Sequence, residues 1–223
     1  MSAKLIAPGV WNVIPNGMAA AYLVVGETKA LLIDSGAGEV DVKAVCAEIT
    51  SLPIELVNTH YHGDHTAGNK DFETVYMHPA DVRKMTGWTQ ISPIGEGFVF
   101  DLGGRQLEII EIPGHTPGGI AIYDKAANIM FTGDTVGRKP IFLVEGDYDL
   151  DDFEATIKKL QTYGADMYGA HDMEVNRAET LENLLETLAL YRAGKIEPVE
   201  ASAPMAGKVY MSANGTGFIC PGK

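Results

Sequence analysis

Basic residues are scarce in this chain: seventeen Lys and Arg stand against thirty Asp and Glu, a formal charge of −13 over 223 residues. That balance argues against a nucleic-acid partner, which would need clustered Lys and Arg to neutralise phosphates. Cysteine is scarcer still. Cys46 and Cys220 are the only two and form no C-x-x-C pair, which excludes a disulfide framework and makes a reducing compartment, the cytoplasm, the expected location. No apolar run is long enough to cross a bilayer, and Met1 to Trp11 lacks an apolar stretch of signal-peptide length, so no membrane partner is expected. What is present, 46% apolar and 21% charged residues, suffices for one large domain with a substantial core.

The apolar pattern starts with short strands: Val10 to Ile14, Ala19 to Val25 and Lys29 to Ile33, the last two joined by a turn at Gly26-Glu27-Thr28. Val42, Val45, Cys46 and Ile49 then fall at helical spacing, which puts Cys46 in the core as a small hydrophobe. Pro53 ends that segment and Ile54 to Val57 reads as a buried strand. Pro79 to Met85 reads as a short helix opened by Pro79, with His78 in a structural place just before it. Strand patterns resume at Phe98 to Asp101, Leu107 to Ile112, Ile120 to Tyr123, Ile129 to Phe131 and Asp166 to Ala170. Asp151 with Glu154, and Asn176 with Glu179, read as capping boxes ahead of two amphipathic helices, the second stopped by Gly194. The division expected is a domain over 1–194 and a Pro/Gly-rich tail over 195–223, packed on that domain, with one β-like piece at Val209 to Met211.

Three histidines and an aspartate crowd the segment Thr59-His60-Tyr61-His62-Gly63-Asp64-His65, half of the six histidines in the chain. Imidazole and carboxylate are the donors that zinc, iron and manganese prefer. Three more polar residues end strand-like segments amid glycine: His115 in Pro-Gly-His-Thr-Pro-Gly-Gly, Asp134 in Phe-Thr-Gly-Asp-Thr and His171 in Gly-Ala-His. Glycine allows the tight turns that aim short side chains from several loops at one point. His60, His62, Asp64, His65, His115, Asp134 and His171 thus offer seven donors, enough for two open metal sites.

Those four motifs, in that order between about Asp34 and His171, resemble the metallo-β-lactamase superfamily, and within it the glyoxalase II-like hydrolases. The resemblance implies an α+β fold, an αββα sandwich of two facing mixed β-sheets with outer helices. It implies that His60, His62 and His115 bind one metal, that Asp64, His65 and His171 bind a second, and that Asp134 bridges them. The cofactor expected is a pair of divalent ions, zinc first, with iron or manganese as the other candidates. Asp34 matches a recurrent acidic position of the family; Asp34, Thr59 and Thr135 are read as supports for the ligands, while a turn-capping role suits Asp34 equally well.

The implied activity is metal-dependent hydrolysis of a carbonyl ester, thioester, lactone or amide in a small molecule by a metal-bridging hydroxide, with Asp64 orienting the nucleophile. Tyr61 and Phe142 are candidates to line the substrate site. Trp88, Ile91, Ile94 and Phe98, or Phe142 with Leu143, could cover an acyl group. Only Lys195, Lys208 and Lys223 follow Gly194, which argues against glutathione as the recognised group. Two alternatives stay open: a mononuclear iron enzyme of the persulfide-oxygenase kind, and a phosphodiester hydrolase. Homo-oligomerisation is open as well.

Overall fold

A computed structural model describes residues 3–15, 17–85, 90–172, 174–201 and 207–221. Strands β1 (Lys4–Ala7), β2 (Val10–Asn12), β3 (Tyr22–Val25), β4 (Ala30–Ile33), β5 (Ile54–Val57), β6 (Val75–Met77) and β7 (Ile91–Pro93) lie side by side in chain order in one sheet. It runs antiparallel from β1 to β4 and parallel from β4 to β7. The parallel half is where the helical connections occur: α1 (Val42–Ile49) joins β4 to β5, and the single-turn helix α2 (Gly63–Thr66) follows β5. One more turn, α3 (Pro79–Val82), follows β6. His78 caps it, accepting the Ala80 amide at 3.3 Å, the structural place its position before Pro79 suggests.

The second sheet takes β8 (Val99–Asp101), β9 (Gln106–Glu111), β10 (Ile120–Asp124) and β11 (Ile129–Gly133) as an antiparallel meander. After β12 (Ile141–Phe142) and helix α4 (Leu150–Gln161), β13 (Asp166–Gly169) returns to pair parallel with β11. Helix α5 (Ala178–Arg192) follows and ends at Gly194, whose φ of +62° suits the residue without a side chain.

Strand alternation explains the layers. Leu31, Ile33 and Val57 of the first sheet meet Ile109, Ile120, Ile122 and Phe131 of the second in a dry core between the sheets. The opposite faces are covered: Leu23, Leu32 and Leu56 pack on Val42 and Cys46 of α1, and Ile110, Met130 and Met167 pack on Phe153, Ile157 and Leu184 of α4 and α5. This is the expected αββα sandwich.

Three local readings need correction. Helix α4 is capped by Asp149, whose side chain accepts the amides of Asp151 (2.8 Å) and Asp152 (3.0 Å), because the helix starts two residues earlier than the Asp151 box implies. Helix α5 starts after Arg177 with no side-chain cap; Asn176 instead pairs its backbone with Met167 and gives its amide to Asp172. The tail is richer in strand than one β-like piece. Strands β14 (Val199–Glu200), β15 (Gly207–Met211) and β16 (Gly217–Pro221) join β12 in a third sheet ordered β12-β16-β15-β14. Phe218 of β16 is fully buried against Phe153 of α4.

Candidate metal centre

The parallel pairs β4/β5 and β11/β13 deliver their C-terminal ends to one edge of the sandwich, and every residue of the four motifs emerges there. Asp34 directly follows β4 with φ +61°, a conformation that Asp tolerates better than most residues. Its carboxylate accepts the Thr59 amide (2.8 Å), the Thr59 hydroxyl (2.8 Å) and Nδ1 of His65 (2.8 Å), tying the end of β4 to the loop after β5. His62 opens α2, so Asp64 and His65 sit on one helical turn rather than past a simple bend at Gly63. Gly133 must be glycine: its φ is +53°, and a Cβ there would lie 2.6 Å from Thr59 Oγ1. The two sheets approach that closely where Asp134 leaves β11.

The seven side chains converge as two groups. His60, His62, His115 and Asp134 offer donor atoms within 4.8 Å of one another, and so do Asp64, His65, Asp134 and His171. In the first group, Nδ1 of His62 lies 3.1 Å from Nε2 of His60 and 3.2 Å from Nε2 of His115. In the second, Nε2 of His171 lies 3.4 Å from Asp64 Oδ2 and 3.2 Å from Asp134 Oδ2. Asp134 is common to both: Oδ2 is also 3.8 Å from His60 Nε2 and 3.6 Å from His115 Nε2, while Oδ1 is 3.2 Å from His65 Nε2.

The outward nitrogens fix the tautomers. His115 Nδ1 faces the Phe142 carbonyl at 2.9 Å and His171 Nδ1 the Met18 carbonyl at 2.9 Å; a carbonyl only accepts, so both Nδ1 atoms donate. His65 Nδ1 donates to Asp34, and His60 Nδ1 to Thr59 Oγ1 at 3.0 Å, whose own proton goes to Asp34. With Nδ1 engaged outward, all four rings turn Nε2 inward, which is how metal-ligating histidines are held. His65 Nε2 and Asp134 Oδ1 are buried without a hydrogen bond of acceptable geometry although 3.2 Å apart. Such convergent, unpartnered donors fit divalent cations, which take N and O ligands without needing a proton between them.

Electrostatics divides the groups. Burial holds His60 well below the ordinary histidine pKa, the charge on His65 adding to it, and lowers His62 as well. His115 falls to about 4, burial outweighing the pull of Asp134. The carboxylate-rich group goes the other way. Burial opposes a charge on His65, but Asp134 and Asp34 overcome it and raise the pKa well above normal; His171 rises to about 10 through its bonds to Asp134 and Asp64, again against burial. Asp134 stays well below the usual carboxylate range because His65 outweighs the cost of its burial, and Asp64 is lowered against burial by its bond to His171. The second group thus demands positive charge.

Both groups open on a cavity of about 720 Å³, whose lining includes His62, Asp64, Asp134 and His171. Phe142 lines it, as its sequence position suggests; Leu143 is buried in the core beside α4. Tyr61 does not. Its ring meets His62 edge-on at 4.7 Å and its hydroxyl donates to Asp147, a buried acid that draws it away from the cavity. Ile91, Ile94 and Phe98 give no cover either: Ile91 opens β7, Ile94 belongs to the inter-sheet core, and Phe98 stacks on Phe100 at 5.0 Å. Trp88 lies outside the described residues. Thr135 is buried with its amide on the Thr132 carbonyl (3.1 Å), and among the described residues no hydrogen bond joins its side chain to the donors. Asp34 and Thr59, by contrast, do hold His65 and His60.

Asp81 of α3 was not visible as part of this centre in sequence. Fully buried, it accepts the Tyr61 amide (3.1 Å), the Thr116 hydroxyl (2.9 Å) and the Gly118 amide (2.7 Å), and so joins the loop of His60 and His62 to the loop of His115. Its partners are 20 to 37 residues away, and no local pattern points to it.

A family model described as the metallo-beta-lactamase superfamily matches residues 14–171. An atrochrysone carboxyl ACP thioesterase of Aspergillus novofumigatus is 31% identical over 157 residues, 67% of this chain and 48% of that protein. A hydroxyacylglutathione hydrolase of Erythrobacter litoralis is 35% identical over 115 residues, 50% of this chain and 44% of the relative. The chain spans about half the length of these curated relatives. Among solved structures, a metallo-beta-lactamase from Pontibacter korlensis shares the fold with a TM-score of 0.71 at 22% identity, covering 84% of this chain and 98% of that one.

Proposed function

Because this chain belongs to the metallo-β-lactamase superfamily, we propose that it is a hydrolase that holds two divalent metal ions, zinc foremost, and cleaves a carbonyl substrate, with thioesters the leading class. The observation that carries the proposal is Asp134, whose single carboxylate lies within 4.8 Å of the three histidine donors of one group and the three donors of the other. His60, His62 and His115 would hold one ion, Asp64, His65 and His171 the other, with Asp134 between them. Two such ions would supply a water acidified towards neutrality and a positive charge for a carbonyl oxygen.

The protein's own groups do the rest. Asp64 is ionised at neutral pH and lines the cavity, so the carboxylate oxygen left free by His65 and His171 can accept a proton from the attacking water and orient it. The balance is simple: a C–O bond forms, the C–S bond breaks, and the sulfur leaves as a thiolate that takes up one proton. No cysteine competes as nucleophile among the buried groups, since burial pushes the Cys46 thiol up to about 12. Thioesters are favoured over other carbonyl compounds by the thioesterase and hydroxyacylglutathione hydrolase among the relatives. A single-iron oxygenase is less favoured, because the convergent donors of the second group, Asp64, His65 and His171, would then hold no cation.

The test is elemental analysis of protein purified without chelator, combined with turnover of an acyl thioester, a lactone and a phosphodiester. Two zinc, manganese or iron ions per chain with thioester cleavage supports the reading. One iron with oxygen consumption, or cleavage of the phosphodiester alone, would replace it.

A further inference from the structure

The polar centre supplies part of the cavity lining, and much of the rest is apolar and built partly by the C-terminal sheet. Val209 of β15 and Ile219 of β16 both line the space. They are direct cross-strand partners in the antiparallel pair, and Ile219 in turn pairs with Phe142 of β12, a third lining residue. Alternation assigns the faces. Phe218 and Tyr210, paired with each other one position along, turn to the other side, where Tyr191 of α5 stacks on them at 5.4 and 4.9 Å. The sheet is therefore two-sided by design of its sequence: Tyr210, Phe218 and Cys220 anchor it to α5, and Val209, Ile219 and Phe142 face the cavity.

The part of this wall that β15 and β16 supply lies outside the residues that the family model matches, which end at His171. It is nonetheless coupled to the centre, since the Phe142 carbonyl holds His115 Nδ1. Val136 and Val144 extend the apolar lining, and Lys139 is the one Lys or Arg among the described residues that line it. A polar peptide moiety would lose hydrogen bonds to water against such a surface without gaining others, whereas an alkyl chain gains by leaving water.

We propose that Val209, Ile219 and Phe142 form the seat of an unbranched apolar acyl group, so that the C-terminal sheet selects acyl substrates by chain length. The inference rests on the hydrolase reading above for its reaction, but not for its binding site. Burying each further methylene favours binding by about fourfold, so kcat/KM should climb from acetyl to octanoyl thioesters until the wall is filled. Ile219→Trp fills the seat, and Val209→Asp puts an unpaired charge in it.

The experiment has two arms on intact metal-loaded protein. In the first, the octanoyl-to-acetyl ratio of kcat/KM is measured for wild type and both variants, with metal content and thermal unfolding as controls. A fall of about tenfold or more in that ratio supports the seat; an unchanged ratio overturns it. In the second, octanoate binding is followed by calorimetry and needs no turnover. Octanoate bound by wild type and weakened about tenfold or more by Ile219→Trp supports the seat even if no thioester is cleaved, and the hydrolase reading then falls alone. Binding insensitive to both substitutions overturns the seat, and should either variant fail to fold, Phe142→Ala is read by the same ratio.

Discussion

Asp134 is buried, ionised and shared by two sets of donors, which makes it costly to leave without compensating charge. Its neighbours are held less directly. Asp34 fixes both His65 and Thr59, and Thr59 fixes His60, so a single carboxylate orients donors of both groups. Replacing such a support costs metal affinity rather than chemistry. Asp34→Ala is expected to weaken metal binding by about 10- to 100-fold, measured by competition with a chromophoric chelator, most strongly for the ion held by His65. His78→Ala serves as the contrasting case. It removes a helix cap, costing roughly 1 kcal/mol in chemical denaturation, and is expected to leave metal content at the wild-type level.

Elements matter through the loops they pin. Helix α3 is one turn long, yet Asp81 on it receives donors from both loops that carry the first histidine group. In Asp81→Asn the amide group must face either the Gly118 N–H or the Tyr61 N–H, so one buried backbone amide loses its acceptor whichever way the side chain turns. A loss of about 1 to 3 kcal/mol is expected in denaturant unfolding of chelator-treated protein, where metal cannot mask it. Cobalt bound at the first group should show an altered visible spectrum, which a change in stability alone would not produce. The seven donors were legible in sequence because each lies in a short Gly-rich motif at a strand end. Asp81 was not, because its meaning depends on Tyr61, Thr116 and Gly118 arriving from elsewhere. The cap of α4 was misplaced because Asp149, Asp151 and Asp152 are equally good capping residues locally, and only the helix start decides among them. Strand β16 escaped notice since Gly217 and Pro221 bound it, and its partners β12 and β15 are not apparent from its own five residues.

At the scale of the whole molecule, the two histidine groups give stability opposite dependences on pH once cations are removed. His115 falls to about 4 in the fold against an ordinary 6.5, so between those values the unfolded chain binds more protons and stability drops as the pH is lowered. His171 rises to about 10, so its contribution is complete below about pH 6.5 and is lost as the pH climbs towards 10. Chelator-treated protein should accordingly be most stable near pH 6.5 and decline on both sides, as read by thermal unfolding across a pH series. Bound cations replace the protons on the second group, so the alkaline decline should flatten in metal-loaded protein. A curve rising steadily to pH 10 after chelation would show that the carboxylates do not hold those protons.

The sandwich itself followed from the sequence through resemblance and alternation together, since strand periodicity locates the faces but does not say which strands are neighbours. The third sheet shows the difference: its strands are short, and their pairing across β12, β15 and β16 is a property of the folded chain. The central claim is that one carboxylate joins two cation sites, and metal stoichiometry in Asp134→Ala tests it most directly. Wild-type protein is expected to hold two ions per chain, and the variant to retain at most one, weakly, with thioester turnover reduced at least about 100-fold. Two firmly held ions and an undiminished rate in Asp134→Ala would contradict the claim.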